Sequence, residues 1–348
     1  MQIFKYGMRY PSGDNCQPFK ISKISANEFL ISYDISTAKH ILNADNIPSI
    51  ISLGALIESI SIGASQFSCY ITTKPEKDFG TEGTDWLSFK IFRADIPKDN
   101  LINSITNRHT DRGNYKIDLS DFELKRLDSS LQKSIQDKAV QVLTTKITDK
   151  IISYFVHCEE IFWKEKQIVR DLSRWIKFKK TEIPKDGFTW KNLSLSFFEA
   201  IALVFLARNQ FLINIFEPIL TLINKAKMKK SLHHSAGIIF FAIKDDSKMG
   251  ILNSGRSMMR AWLTITEQGY VAQPLSISSI LPYTLKKKIA NMDDSNKDWQ
   301  NNVITKNTEL SSLLNIDSTS DIIWAFRFGK PINSSRADRS GRDPSKFE

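Results

Sequence analysis

Cysteine is scarce in this 348-residue chain. Cys16, Cys69 and Cys158 are odd in number and far apart, with no Cys-x-x-Cys pair. That excludes a disulfide framework, an iron–sulfur cluster and a cysteine-based zinc finger, and points to a reducing, cytoplasmic compartment. The N-terminal stretch MQIFKYGMRYPSG has no apolar core of signal-peptide type. A bilayer span needs about 20 mostly apolar residues. The most hydrophobic region, 193–223, is interrupted by Glu199, Arg208, Asn209, Gln210, Glu217 and Pro218, so buried helices of a soluble protein are expected there and no membrane span. There is no Ser/His/Asp or Cys/His signature of a protein nucleophile. Nor is there a nucleic-acid motif with interleaved aromatics. His233 and His234 are adjacent and cannot both face one metal from a regular element. His157-Cys158-Glu159-Glu160 reads as a helix edge, so no metal site is expected.

What is present is a globular composition, 41% apolar and 25% charged, long enough for two domains. A net charge of +10 biases the chain toward anionic partners. The basic run Lys225–Lys230 reads as a helix C-terminus, where cations are favoured, rather than as a nucleic-acid contact.

The runs Phe19–Ile24 and Phe29–Tyr33 read as a hairpin. A helix is expected from Pro48 to about Gln66, with Ile50, Leu53, Ile57, Ile60 and Ala64 on one stripe and enough small residues for another backbone to approach. Strands follow at Phe67–Thr73 and Trp86–Arg93, then a helix over Ile96–Asn107. Farther on, a polar helix is expected at Phe122–Val142, a strand at Ala236–Ile243, a helix at Met249–Gln268, and strands at Tyr270–Ile277 and Asp321–Phe328. Strand–turn–helix–strand thus occurs twice, with Gly54 in one helix and Gly255 in the other, a weak internal repeat.

Between the copies lies Arg108-His109-Thr110-Asp111-Arg112. Two guanidiniums and a hydroxyl in five residues suit a phosphate, because Arg presents a planar fork of donors. Taken alone, such a run is more often a solvated charged loop. Near the N-terminus, Pro11-Ser12-Gly13-Asp14-Asn15-Cys16-Gln17-Pro18-Phe19 is a polar turn, and the tail Ser335–Arg342 is basic and of disordered type.

Together these segments resemble the nitroreductase-like FMN flavoproteins. Pro11–Phe19 is similar to their Pro-Ser-x-x-Asn-x-Gln-Pro-Trp segment, and Arg108–Arg112 to their Arg-x-Ser/Thr-x-Arg phosphate motif. Gly255-Arg256-Ser257 through Leu275 is similar to their Gly-rich helix and following strand. The usual order is inverted here, which fits a tandem, Acg-type double-domain subgroup. Phe19 stands for the usual Trp and Gly13 for a frequent second Ser.

The resemblance implies an α+β chain in which two nitroreductase-like α/β sandwich halves are fused as a pseudo-dimer. Residues 1–95 would form the first half and 96–348 the second, with a helical lid insertion at about 142–191 and a basic C-terminal tail. It implies one FMN per chain, since neither half carries both motifs. Arg108, Thr110 and Arg112 would hold the phosphate, and Pro11, Ser12 and Asn15 would approach the ring from the other half. Pro274, Leu275 and Ser276 would line the ring, and Arg339 and Arg342 would clamp the phosphate. The function implied is oxidoreduction of a small substrate, with NAD(P)H as candidate electron donor and no assigned catalytic side chain. The competing reading is a non-catalytic FMN-binding or sequestering protein under a closed lid. The chain would be a monomer, by virtue of its internal pseudo-dimer, or a homodimer.

Overall fold

Helix α1 (Phe4–Gly7) precedes a four-stranded sheet of β1 (Phe19–Lys23), β2 (Glu28–Tyr33), β3 (Cys69–Pro75) and β4 (Asp85–Arg93), with α2 (Ile47–Ser65) between β2 and β3. This computed structural model describes residues 2–135, 137–178, 184–289, 292, 294–332 and 341–347. After α3 (Ile102–Asn107), β5 (Tyr115–Lys116) and α4 (Asp121–Ser134), the chain enters a second sheet at β6 (Val140–Thr145). A long insertion follows: α5 (Asp149–Cys158), α6 (Ile161–Lys164), α7 (Lys166–Arg174), β7 (Ile176–Lys177) and β8 (Phe188–Thr189), α8 (Phe197–Arg208) and α9 (Gln210–His233). The second sheet resumes with β9 (Gly237–Ile243), then α10 (Lys248–Glu267), β10 (Val271–Pro274), α11 (Ser276–Lys286), α12 (Lys297–Leu313) and β11 (Asp321–Pro331).

The two sheets share one topology. The first runs β1-β2-β4-β3 and the second β6-β9-β11-β10, with β5 added on β11. Every pairing within both is antiparallel. In each, a long helix follows the second strand, α2 in one and α10 in the other.

These two helices pack against each other between the sheets. The contact is reciprocal at glycine: a Cβ on Gly54 would lie 2.1 Å from the Leu252 carbonyl oxygen, and one on Gly255 would lie 2.1 Å from the Ile51 carbonyl oxygen. Only a residue without a side chain permits that approach. A buried ion network fastens the same pair. Glu58 on α2 accepts from Arg256 Nε at 3.0 Å and from Arg260 Nε at 2.8 Å, and Arg260 Nη2 also reaches Asp99 at 2.7 Å. By length and composition α2 could cross a membrane, but it is a core helix, with 89% of its apolar window buried.

The sheets differ in what covers them. Strand β9, Gly-Ile-Ile-Phe-Phe-Ala-Ile, is buried throughout. Ile239, Phe241 and Ile243 join the core around α2 and α10, whereas Ile238, Phe240 and Ala242 join a second core with α5, α11 and α12. Successive strand residues point to opposite faces, so a doubly covered strand reads as one continuous apolar run. The first sheet alternates buried and exposed residues, as in β3, because one face is solvated.

Several sequence expectations shift. The helix expected at 122–142 stops at Ser134, and Val140–Thr145 is instead a strand paired with β9; its β-branched residues favour that pairing. The insertion expected at about 142–191 therefore begins after Thr145 and runs to β9. Helix α3 starts only at Ile102, because Pro97 cannot sit in a helix interior. The strand expected to reach Ile277 ends at Pro274, where α11 begins. The helices at 197–223, expected to be buried, expose Phe198, Phe205, Phe211, Ile215, Ile219 and Leu222.

Candidate functional site

A cavity of about 850 Å³ opens between the two sheet units and extends under the insertion, a size in the range of small-molecule and cofactor sites, roughly 300–1,000 Å³. From the first unit, Pro11, Ser12 and Asn15 line it; from the second, Arg108, Thr110, Arg112, Pro274, Leu275 and Ser276 do. Arg342 reaches the same cavity from the C-terminal segment. Arg339 lies outside the described residues.

The Arg108–Arg112 segment is held at the cavity wall by local backbone contacts. Arg108 ends α3 in an extended conformation (φ −60°, ψ 131°). Thr110 then bridges Ala272 in parallel, and the Asp111 N–H donates to the Ala272 carbonyl at 3.1 Å. Arg108, Thr110 and Arg112 line the cavity together with His109, and only Asp111 of the five turns away from it. Asp111 instead accepts the Gly113 N–H at 2.7 Å. Burial pushes its carboxyl up, but hydrogen bonds from His109 and Gly113 outweigh that and hold it below the usual range.

An aromatic ring and a backbone carbonyl help to hold each of Arg108 and Arg112. The Arg108 guanidinium lies 4.4 Å over the Trp262 ring, and its Nη2 donates to the Arg9 carbonyl. Arg112 Nη1 donates to the Asn192 carbonyl at 2.7 Å and its guanidinium lies 5.4 Å over Phe188. Among the described residues Arg112 forms no ion pair within 4.0 Å, and burial pushes its pKa down to about 10. Such a cation gains from an incoming anion. Arg342 is pushed down to about 10 by burial as well.

The Pro11–Asn15 turn lines the cavity and also makes long-range protein contacts. Asn15 is buried, its Oδ1 accepts from Arg342 Nη1 at 2.6 Å, and its Nδ2 faces the carbonyls of Gly187 at 3.1 Å and Gly341 at 3.3 Å. Its amide therefore clasps the C-terminal segment and the insertion to the turn. Gln17 repeats the pattern, donating to the Lys185 carbonyl at 2.8 Å and accepting the Asp343 N–H at 3.0 Å. Asp14, Asn15 and Gln17 all adopt left-handed backbone (φ 50°, 54° and 50°). Non-glycine residues hold that conformation only where surrounding contacts over-determine it. The segment 341–347 is thus docked, with Phe347 in the main core.

Three features escaped sequence reasoning. Arg327, fully buried in β11, donates to Gln273 Oε1 at 2.7 Å, to Ser235 Oγ at 3.1 Å and to the Gly113 carbonyl at 3.0 Å, with its guanidinium 4.4 Å over Tyr115. It ties the loop after Arg112 to the cavity wall at Gln273. A lone arginine inside the apolar run Ile322–Phe328 was the available signal. Next, Asp14 and His40 sit together on the cavity rim, with His40 Nε2 3.5 Å from Asp14 Oδ2. The Leu42 N–H donates to His40 Nδ1 at 3.0 Å, so in the neutral ring Nε2 carries the hydrogen and faces Asp14. Burial raises the Asp14 carboxyl above its ordinary value, with His40 and Arg112 opposing. Finally, Glu159 lines the far arm of the cavity, where burial pushes its pKa up to about 7.

No family model matches the chain, and no curated protein matches it. Among solved structures it is similar to an FMN-bound nitroreductase from Desulfitobacterium hafniense DCB-2, with 10% identity over 71% of this chain and 95% of that one, at a TM-score of 0.39. An FMN-dependent nitroreductase from Mycobacterium smegmatis in complex with NADPH gives 12% identity, 69% and 92% coverage, and a TM-score of 0.39. An FMN-bound nitroreductase from Bacteroides fragilis NCTC 9343 gives 8%, 70% and 95%, and 0.38. Likenesses this distant carry no functional weight of their own.

Proposed function

We propose that this chain is an FMN-dependent oxidoreductase of nitroreductase type, a fused pseudo-dimer holding one FMN between its halves and acting on a small substrate with NAD(P)H as electron donor. The observation that carries the reading is the convergence of Arg108, Thr110 and Arg112 from one unit with Pro11 and Ser12 from the other on a single cavity. The matched sheet topologies and the reciprocal Gly54 and Gly255 contact support the duplication.

The donor set suits the group. Arg112 is a partly buried cation that forms no ion pair within 4.0 Å among the described residues, although the Asp14 and Asp111 carboxylates act on it from farther away, and Thr110 lines the same cavity. These residues would hold the phosphate through charge-assisted hydrogen bonds. Pro274, Leu275 and Trp262 would supply the flatter, less polar wall for the ring. When bound, FMN supplies two-electron transfer between donor and substrate. The chain's own contribution is to bind, orient and exclude water. The rim pair of His40 and Asp14 adds a place to hold a proton, at Nε2 of His40 and on a carboxyl whose pKa burial raises.

The insertion favours the alternative reading in one respect: Phe162, Trp163 and Leu203 wall the cavity, and a permanent roof would make the chain an FMN store rather than a reductase. The purified protein is expected to be yellow and to release about one FMN per chain, with bleaching by NADH or NADPH under anaerobic conditions. Arg112→Ala is expected to weaken FMN binding about 10–100-fold, a loss of roughly 1.4–2.7 kcal/mol. Colourless protein that fails to take up added FMN overturns the reading. Bleaching by dithionite alone selects the storage reading.

A further inference from the structure

The α8–α9 hairpin presents its more apolar side to solvent. Nine of the eighteen exposed large hydrophobic side chains among the described residues fall within 198–223. On α9, Phe211, Ile215, Ile219 and Leu222 form an exposed stripe at helical spacing, and Phe216 and Ile223 widen it. The opposite side of α9 buries only Ile213, Thr221 and Leu232. From Phe211 to Leu222 the stripe is about 16 Å long at 1.5 Å per residue. An apolar patch of this extent on a folded surface marks a contact site.

Charge selects the occupant. Arg208 is exposed at the tip of the hairpin, and Lys229 and Lys230 are exposed toward the other end of α9. The two carboxylates of the stretch are engaged, Glu199 with Lys227 at 2.7 Å and Glu217 with the Thr221 hydroxyl at 2.8 Å. Pairing two copies through this stripe sets cation against cation in either helix direction, because both ends of the stripe are basic. An anionic lipid surface accepts the apolar stripe and both cationic ends together. The cavity also reaches this face: Ile223 is both exposed and part of the cavity wall, beside Leu206 and Leu220.

We propose that the α8–α9 hairpin docks this protein in the plane of an anionic phospholipid surface, with the apolar arm of the cavity opening toward the lipid. The inference is independent of FMN binding, and so is its test. Full-length protein is sedimented with vesicles of phosphatidylcholine and phosphatidylglycerol at about 7:3, and with phosphatidylcholine alone, at low salt. Wild type is expected to pellet with the mixed vesicles. The combined Phe198→Ser, Phe211→Ser, Ile215→Asn and Ile219→Asn variant is expected to partition at least ten-fold less while keeping its thermal melt. Arg208→Glu with Lys229→Glu is expected to lose a similar factor on mixed vesicles, and this exposed pair, neither member of which lines the cavity, decides the matter alone if the apolar variant does not fold. Wild type that stays in the supernatant overturns the proposal. Full binding by either folded variant also overturns it. Light scattering that shows a wild-type dimer, monomeric apolar variant and no vesicle binding assigns the face to a second copy instead.

Discussion

Helices α2 and α9 are both long and rich in isoleucine and leucine, yet they sit in opposite environments. Nearly every side of α2 is buried, against the first sheet, α1 and α10. Its glycines and serines let α10 approach, and its one carboxylate, Glu58, is matched by Arg256 and Arg260. Helix α9 is held by one narrow side and by polar ties at its base, where Asn224 reaches the Glu159 carbonyl and Lys225 meets Glu160. Apolar content therefore does not decide burial. Small residues that admit a partner, and charges that find one, distinguish the core helix from the exposed one.

Three substitutions test that contrast, beginning with the largest effect. Gly54→Ala places a methyl group 2.1 Å from the Leu252 carbonyl oxygen. We expect about 4 kcal/mol or more of destabilisation, or loss of soluble protein, read from chemical denaturation. Glu58→Ala leaves Arg256 and Arg260 facing each other without their shared carboxylate. Arg260 keeps Asp99 at 2.7 Å and Arg256 is partly exposed, so the expected cost is about 3 kcal/mol, the low end for breaking a buried pair, measured as a drop in urea midpoint.

Glu159→Gln acts at the base of α9 and is the smallest of the three. Burial raises the Glu159 carboxyl from 4.5 to about 7, with Asn224 and Ser278 opposing. The native state therefore holds this proton more tightly than the unfolded chain does. The contribution is full below about pH 4.5 and is lost as pH rises through about 7. The neutral Gln variant should lack this component and be more stable than wild type by about 1–3 kcal/mol at alkaline pH, with the difference closing toward acid. A pH series of thermal melts checks both the sign and the window.

Much of the fold could be read before any coordinates. The hairpin at Phe19–Tyr33, the helix near 47–66 and the strand near 237–243 follow from alternation, small-residue spacing and a continuous apolar run. The strand Val140–Thr145 was hidden because the alternation Val140-Gln141-Val142 is too short and lapses at Leu143-Thr144-Thr145. At the site, the run of Arg108, Thr110 and Arg112 was informative because a short segment pinned beside Ala272 keeps all three, with His109, at one cavity wall. Asn15 lines the cavity as well, but nothing near it in sequence announces its protein partners Gly187, Gly341 and Arg342.

Local chemistry by itself determined where the first hairpin, the two glycine-bearing core helices and the apolar strand near 237–243 would form. It did so because backbone period and β-branching are properties of a few adjacent residues. Tertiary structure decided the rest. It brought Pro11 and Ser12 to the same cavity as Arg112, buried Arg327 behind the loop after Arg112, and left the apolar side of α9 uncovered. Each of those outcomes depends on which surface another part of the chain comes to cover, and no short-range pattern encodes that.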